Sequence, residues 1–262
     1  MTYESIELSI ADGLARLTLN QPQKGNPFNA SFCADIATAA NELAGRDDVR
    51  AVLLTANGRF FSVGGDIQMF AQSLDTLPNK IREWTAGLHM GMARLARLNA
   101  PMVACVHATA MGGAVAMVAN CDLVFAAKSA RFGAAYPQIG YSCDAGASFG
   151  LSSRMGLARA RRFLILNETL SADQALSTGL VDEVVDDASV AAAAEAAAIK
   201  LSKGPTRAYG EIRRIFSRAL GQPYEAQLED EAQALTRAAA TSDAREGILA
   251  FVEKRPAQFQ GR

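Results

Sequence analysis

The chain has 262 residues, half of them apolar and a fifth charged, with a formal net charge of −1. That length suits one large α/β domain or two small ones, and the near-neutral balance leaves no basic field for nucleic acid. Four cysteines without C-x-x-C spacing read as buried thiols of a reducing compartment, and two histidines without ligand spacing argue against a metal centre.

The opening stretch from Met1 to Glu7 has early acids and no apolar run, so no secretory leader is expected. Residues 4–10 and 14–19 flank Asp12-Gly13, a turn dipeptide, and predict a β-hairpin. Apolar residues at helical spacing predict a helix over 31–43, capped from Asn29 or Ser31. A buried strand at 51–55 leads into Ser62-Val-Gly-Gly-Asp66, and a long helix over 80–98 stops before Pro101. Residues 98–121 lack any Asp, Glu, Lys or Arg, which on length alone would suit a membrane span. Pro101, His107, Gly112-Gly113 and Asn120 divide it instead into a strand over 102–106, a turn and a small-residue helix from Gly112. The expectation is no membrane span and a cytoplasmic protein. A strand follows at 123–127, then a helix near Ala145. Ser171-Ala-Asp-Gln174 is a capping box for a short helix closed by Gly179, with a strand at 181–185 after it. From Asp187 onward the pattern is nearly all helical, with breaks at Gly204-Pro205 and Gly221-Gln-Pro223. Strands alternating with helices predict an α/β fold with parallel βα units. The division falls between a core over 1–200 and a helical region over 201–262.

Two glycine turns follow buried strands, Val63-Gly64-Gly65 and Met111-Gly112-Gly113. Glycine there lets backbone N–H groups face a ligand, and two such turns could aim two N–H groups at one oxygen. Neither turn is a phosphate fingerprint, and glycine after a strand is most often a tight turn and no more. Between Phe132 and Ser153 the sole charged side chain is Asp144. A carboxylate in so apolar a stretch suits proton transfer if it is held in a lined site, and suits an N-cap if it is not. The residues alone leave both readings open.

Six ordered segments then carry a family resemblance. They are Ala51-Val-Leu-Leu-Thr-Ala-Asn-Gly-Arg-Phe-Phe-Ser-Val-Gly-Gly-Asp-Ile67, Met111-Gly-Gly-Ala114, Asn120-Cys-Asp122, Ala130-Arg-Phe-Gly133, Leu170 to Asp182, and Arg245 to Arg255. Over essentially its whole length the chain resembles the crotonase (enoyl-CoA hydratase/isomerase) superfamily. The resemblance implies a crotonase-like spiral of ββα units with a helical C-terminal trimerisation region, hence a homotrimer or a dimer of trimers. It implies an acyl-CoA thioester as substrate and no separate cofactor, coenzyme A being part of the substrate. It also implies two backbone donors for the thioester oxygen, by position Val63 and Gly113.

Departures from the family pattern bear on the reaction. The two glutamates of the hydratases correspond here to Ala116 and Tyr136, and water addition needs two groups to manage water and the α-proton. Asp144 stands where several branches carry a catalytic aspartate, and its surroundings look most like the epoxyphenylacetyl-CoA isomerase-like branch. The expectation is therefore a double-bond or ring isomerase working through Asp144. The alternatives are a dehalogenase-type hydrolytic enzyme, with Asp144 as nucleophile and His89 activating water, or an acyl-CoA-binding relative without catalysis. By the same resemblance Asp66, Lys24 and Lys254 are candidate substrate-binding residues, as are Tyr136, Ala116 and His89. Read without it, the lysines are solvated charges and His89 a polar residue on a helix; His107 is given a structural role in a turn.

Overall fold

The computed structural model describes residues 2–219 and 221–262. Met1, in the stretch read for a leader, and Leu220, in the helical last third, lie outside the described residues. Strands β1 (Ile6–Ala11) and β2 (Leu14–Leu19) form the expected hairpin, paired antiparallel. Asp12 and Gly13 both have positive φ, as a primed two-residue turn requires. Helix α1 (Ala30–Ala44) is capped by Asn29, whose side chain accepts the Phe32 N–H at 3.0 Å. Strand β3 (Ala51–Ala56) is followed by a short helix that the periodicity does not announce, α2 (Ile67–Ala71). Helix α3 (Leu77–Arg97) starts earlier than its apolar spacing suggests, because Pro78 fits the first helical turn.

Strand β4 (Met102–Val106) and strand β6 (Leu123–Ala127) lie where expected. Between them the structure inserts β5 (Ala110–Met111) before helix α4 (Gly113–Ala119), which is buried on every side. After β7 (Arg131–Gly133) come α5 (Ala147–Met155) and α6 (Leu157–Ile165). Next come β8 (Thr169–Ser171) and α7 (Ala172–Ser177), with the predicted capping box closed by Ser171 and Gln174. Strand β9 (Glu183–Val185) is shorter than the strand expected over 181–185. Ahead of it, Asp182 accepts the Val124 N–H at 2.7 Å through its side chain, outside the ladder.

The main sheet runs β1-β2-β3-β4-β6-β9, parallel everywhere except the first pair. β3 and β4 are apolar almost throughout because both faces are covered. Helix α8 (Val190–Ser202) packs across one face, from β2 to β9. A second sheet, β5-β7-β8, has strands of two or three residues, too short to leave a period in the sequence.

Beyond β9 the chain is helical, as expected from Asp187 onward: after α8, α9 (Thr206–Phe216), α10 (Tyr224–Ala239) and α11 (Ser242–Val252) follow the break at Gly204-Pro205. Arg213 on α9 donates to Leu95 O at 3.1 Å and Ala100 O at 3.0 Å and pairs with Asp122 at 2.9 Å. It thereby satisfies the carbonyl end of α3 and fastens this region to the core. Among the described residues, no helix is long and apolar enough to cross a membrane.

Candidate active site

A cavity of about 860 Å³ opens between the two glycine turns, the inner ends of α1 and α3, and the loop over 135–144. Parallel pairing of β3 with β4 brings the two turns together at the carboxyl ends of their strands. Beyond the strands the contact continues: Phe61 N–H donates to Thr109 O at 3.0 Å and Met111 N–H to Ser62 O at 3.0 Å. A Cβ at Gly64, where φ is +81°, would lie 2.9 Å from the Met111 carbonyl oxygen. Only glycine allows this approach.

The first turn corrects one sequence expectation. Val63 N–H, singled out as a donor for the thioester oxygen, donates instead to Gly25 O at 2.9 Å. Gly64 N–H is also engaged, with Ser62 Oγ at 3.1 Å. Among the described residues nothing accepts from Gly65 N–H or from Gly113 N–H. Both glycines line the cavity, and Gly113 opens α4, where the first N–H groups have no partner within the helix. Gly65 and Gly113 are thus the cavity-lining glycines, one in each turn, whose N–H groups have no acceptor among the described residues. Sequence spacing does not specify which carbonyl the Val63 N–H meets, because Gly25 O reaches it from 38 residues away.

Asn26, which sequence reasoning passed over, builds this register. Its buried amide donates to Asn57 O at 2.8 Å and Phe60 O at 3.1 Å, and its Oδ1 accepts the Gln21 N–H at 2.7 Å. A left-handed backbone at φ 55° lets it do so, and Asn is among the few residues that adopt one readily. That tie holds the neighbouring Gly25 carbonyl against Val63.

The opposite wall carries the acid. Asp144 is the one charged side chain lining the cavity among the described residues. It does not cap α5: the N-cap is Gly146, with no side-chain bond. The carboxylate turns to Tyr136, whose hydroxyl donates to Oδ1 at 2.9 Å. Burial, and then the facing carboxylate, push the Tyr136 phenol far above its ordinary value, so it remains a protonated donor and is no base. Cys33, on α1, is 6% exposed, and its thiol is pushed up to about 12 by burial and by the charge of Asp144. His89, on α3, does not line the cavity; its Nε2 accepts the Ala145 N–H at 3.1 Å. A backbone N–H can only donate, so this nitrogen is the ring's lone-pair side and the proton of the neutral ring sits on Nδ1.

The remaining candidates are dispersed. Asp66 caps α2, accepting the Met69 N–H at 3.0 Å, beside the first turn. Ala116 is 0% exposed inside α4 and does not line the cavity. Lys24 is exposed at the end of a 3₁₀ turn next to Gly25. Lys254 is exposed just beyond α11, away from the cavity of its own chain. His107 bonds Gly58 O at 2.9 Å, a turn contact. An aromatic cluster that the sequence left unremarked forms part of the wall: Phe70 stacks near Trp84 at 6.3 Å and near Tyr141 at 6.0 Å.

Comparison with known proteins agrees with this architecture. The family model for enoyl-CoA hydratase/isomerase matches residues 9–262. The chain is 33% identical to a Rhodobacter capsulatus protein called a probable enoyl-CoA hydratase, over 100% of both chains. It is 32% identical to the 1,2-epoxyphenylacetyl-CoA isomerase of Escherichia coli K12, over 99% of each. The crystal structure of a Mycobacterium smegmatis enoyl-CoA hydratase superposes with a TM-score of 0.90 at 29% identity, covering 98% of this chain and 99% of that one.

Proposed function

This chain belongs to the enoyl-CoA hydratase/isomerase family and has its fold, and within that family we propose that it is an acyl-CoA isomerase using Asp144 as its single acid/base. The thioester oxygen accepts from Gly65 N–H and Gly113 N–H, which lowers the cost of breaking the α-C–H bond. Asp144 takes the α-proton, the electron pair delocalises onto the thioester oxygen as an enolate, and the same carboxyl returns the proton at a second carbon. The double bond moves, and neither water nor a redox partner enters. Each backbone donor contributes about 10²–10³-fold and the carboxylate about 10²–10⁴-fold.

The observation that carries this reading is the solitude of Asp144. Hydration requires a second group for water, and the available positions hold Ala116, which has no acid, and Tyr136, whose phenol stays protonated. The hydrolytic reading needs His89 to take a proton from water, yet its lone pair is already on Ala145 N–H. Coenzyme A enters as part of the substrate, with the Asp66 turn, Lys24 and, from a neighbouring copy, Lys254 as its candidate contacts. Large apolar side chains such as Phe216, Leu235 and Phe251 lie exposed on α9, α10 and α11, an area that a homotrimer or a dimer of trimers would cover. Light scattering showing a monomer at micromolar concentration would remove that assembly.

The decisive assay offers crotonyl-CoA and, separately, a β,γ-unsaturated hexenoyl-CoA in deuterium oxide. Isomerisation of the second to the α,β-unsaturated thioester, with little deuterium entering at carbon because the same proton is returned, is the expected outcome. Hydration of the first at an ordinary turnover, about 1–10³ s⁻¹, would overturn the proposal, as would an aspartyl ester trapped at Asp144.

A further inference from the structure

We propose that Tyr136 and His89 are positioning residues that clamp Asp144, one at its carboxylate and one through the N–H of the next residue, Ala145, so that a single oxygen is free to move the proton. This rests on the assignment of Asp144 as the acid/base. Three observations carry it. Tyr136 reaches across eight residues of loop to donate its hydroxyl to Oδ1, and no bond is made to Oδ2 among the described residues. Ala145, the next residue, is 1% exposed with φ at +51°, a left-handed backbone unusual for alanine. Its N–H would be an unpartnered buried donor without His89 Nε2 at 3.1 Å. The backbone carbonyl of Asp144 is held in turn by Ala147 N–H at 2.9 Å.

A carboxylate loose about its χ angles presents either oxygen and admits water to whichever is unpaired. With Oδ1 occupied, the proton taken by Oδ2 has one direction to return. Retention of the migrating hydrogen within the substrate therefore becomes a signature of the clamp. Removing the tyrosine hydroxyl leaves Oδ1 to be satisfied by water, and that water exchanges the proton. A residue that only filled space would change stability without changing retention.

The test uses the full chain and a β,γ-unsaturated hexenoyl-CoA deuterated at the α-carbon, in ordinary water, with label position read by mass spectrometry. Tyr136→Phe is expected to lower kcat by about 10²-fold, to leave KM nearly unchanged, and to reduce the fraction of deuterium carried to the γ-carbon. His89→Leu is expected to lower kcat similarly, and His89→Gln, whose amide oxygen can reach the Ala145 N–H, to recover most of that loss. Melting curves identify any variant that has failed to fold. Wild-type kcat and retention in Tyr136→Phe, with Asp144→Asn inactive, would overturn the clamp while sparing the acid/base. Equal loss in His89→Gln and His89→Leu would overturn its positioning role. Full activity in Asp144→Asn, or a wild-type protein that neither isomerises the probe nor exchanges its α-hydrogens, would remove the acid/base and the clamp with it.

Discussion

The two walls of the cavity are built from different materials. One is backbone: Gly64, Gly65, Gly112 and Gly113, fixed by parallel strands and by carbonyls such as Gly25 O and Thr109 O. The other is side chain: Asp144 and Tyr136, set in a loop whose shape depends on left-handed residues at Ala135, Gly140, Ala145 and Gly146, with Cys33 of α1 beside them. Backbone donors survive nearly any change of side chain that leaves the turn intact, so in the proposed reaction the thioester oxygen is served by the first wall whatever the second wall carries. Which reaction follows is decided on the second wall, where one substitution adds or deletes a proton carrier.

The sharpest way to break this contrast is Asp144→Asn. Asparagine keeps the size and its oxygen still accepts from Tyr136, so the loop should stand while the acid/base is gone. We expect kcat on the true substrate to fall by about 10²–10⁴-fold, with KM little changed because the oxygen and the CoA are held elsewhere. Steady-state kinetics beside a melting curve checks both. A KM effect alone would move Asp144 from chemistry to binding.

The same mutation type on each wall gives the next comparison. Gly64→Ala places a Cβ 2.9 Å from Met111 O at a φ of +81°, against backbone that cannot step aside. It should disturb both turns at once, lowering kcat/KM by about 10²-fold and destabilising the fold by about 1–3 kcal/mol. Gly140→Ala, at a φ of +75° with nothing within 4 Å of the added carbon, meets only backbone strain. About 1 kcal/mol and a small change in rate are expected. Comparable losses at the two positions would mean that the walls are not built differently.

What could be read in advance divides along the same line. The hairpin, the parallel core strands and the capping box at Ser171 were legible because alternation, apolar runs and turn dipeptides are local signals. So were the glycine turns and the isolation of Asp144. The short strands β5, β7 and β8 were not, since two or three residues carry no period. The exact donor in the first turn was not legible either: it depends on Gly25 O and Asn26, some forty residues away in sequence. The partnering of Asp144 with Tyr136 rather than with a helix end depends on how a loop folds back. Family resemblance implies the role proposed for Asp144, while its hydrogen bond to Tyr136 depends on the folded loop.

The smallest effect concerns Cys33, which can report on the charge of Asp144. Its thiol is pushed up to about 12, first by burial and second by that carboxylate. At pH 8 the thiolate fraction is then about 10⁻⁴, and alkylation by iodoacetamide should be very slow. Because the shift is upward, the reactive form is scarce below the thiol's value and grows about tenfold per pH unit as pH rises towards it. Asp144→Asn deletes the second cause and leaves the first, so Cys33 should label somewhat faster but still far more slowly than a free thiol. Peptide mapping resolves it from Cys143, which is half-buried in the same region. Labelling of Cys33 at the rate of a free thiol in the wild type would show that water reaches the acid wall freely. A carboxylate bathed in water would exchange its proton before returning it, and the contrast between the walls would lose its mechanistic meaning.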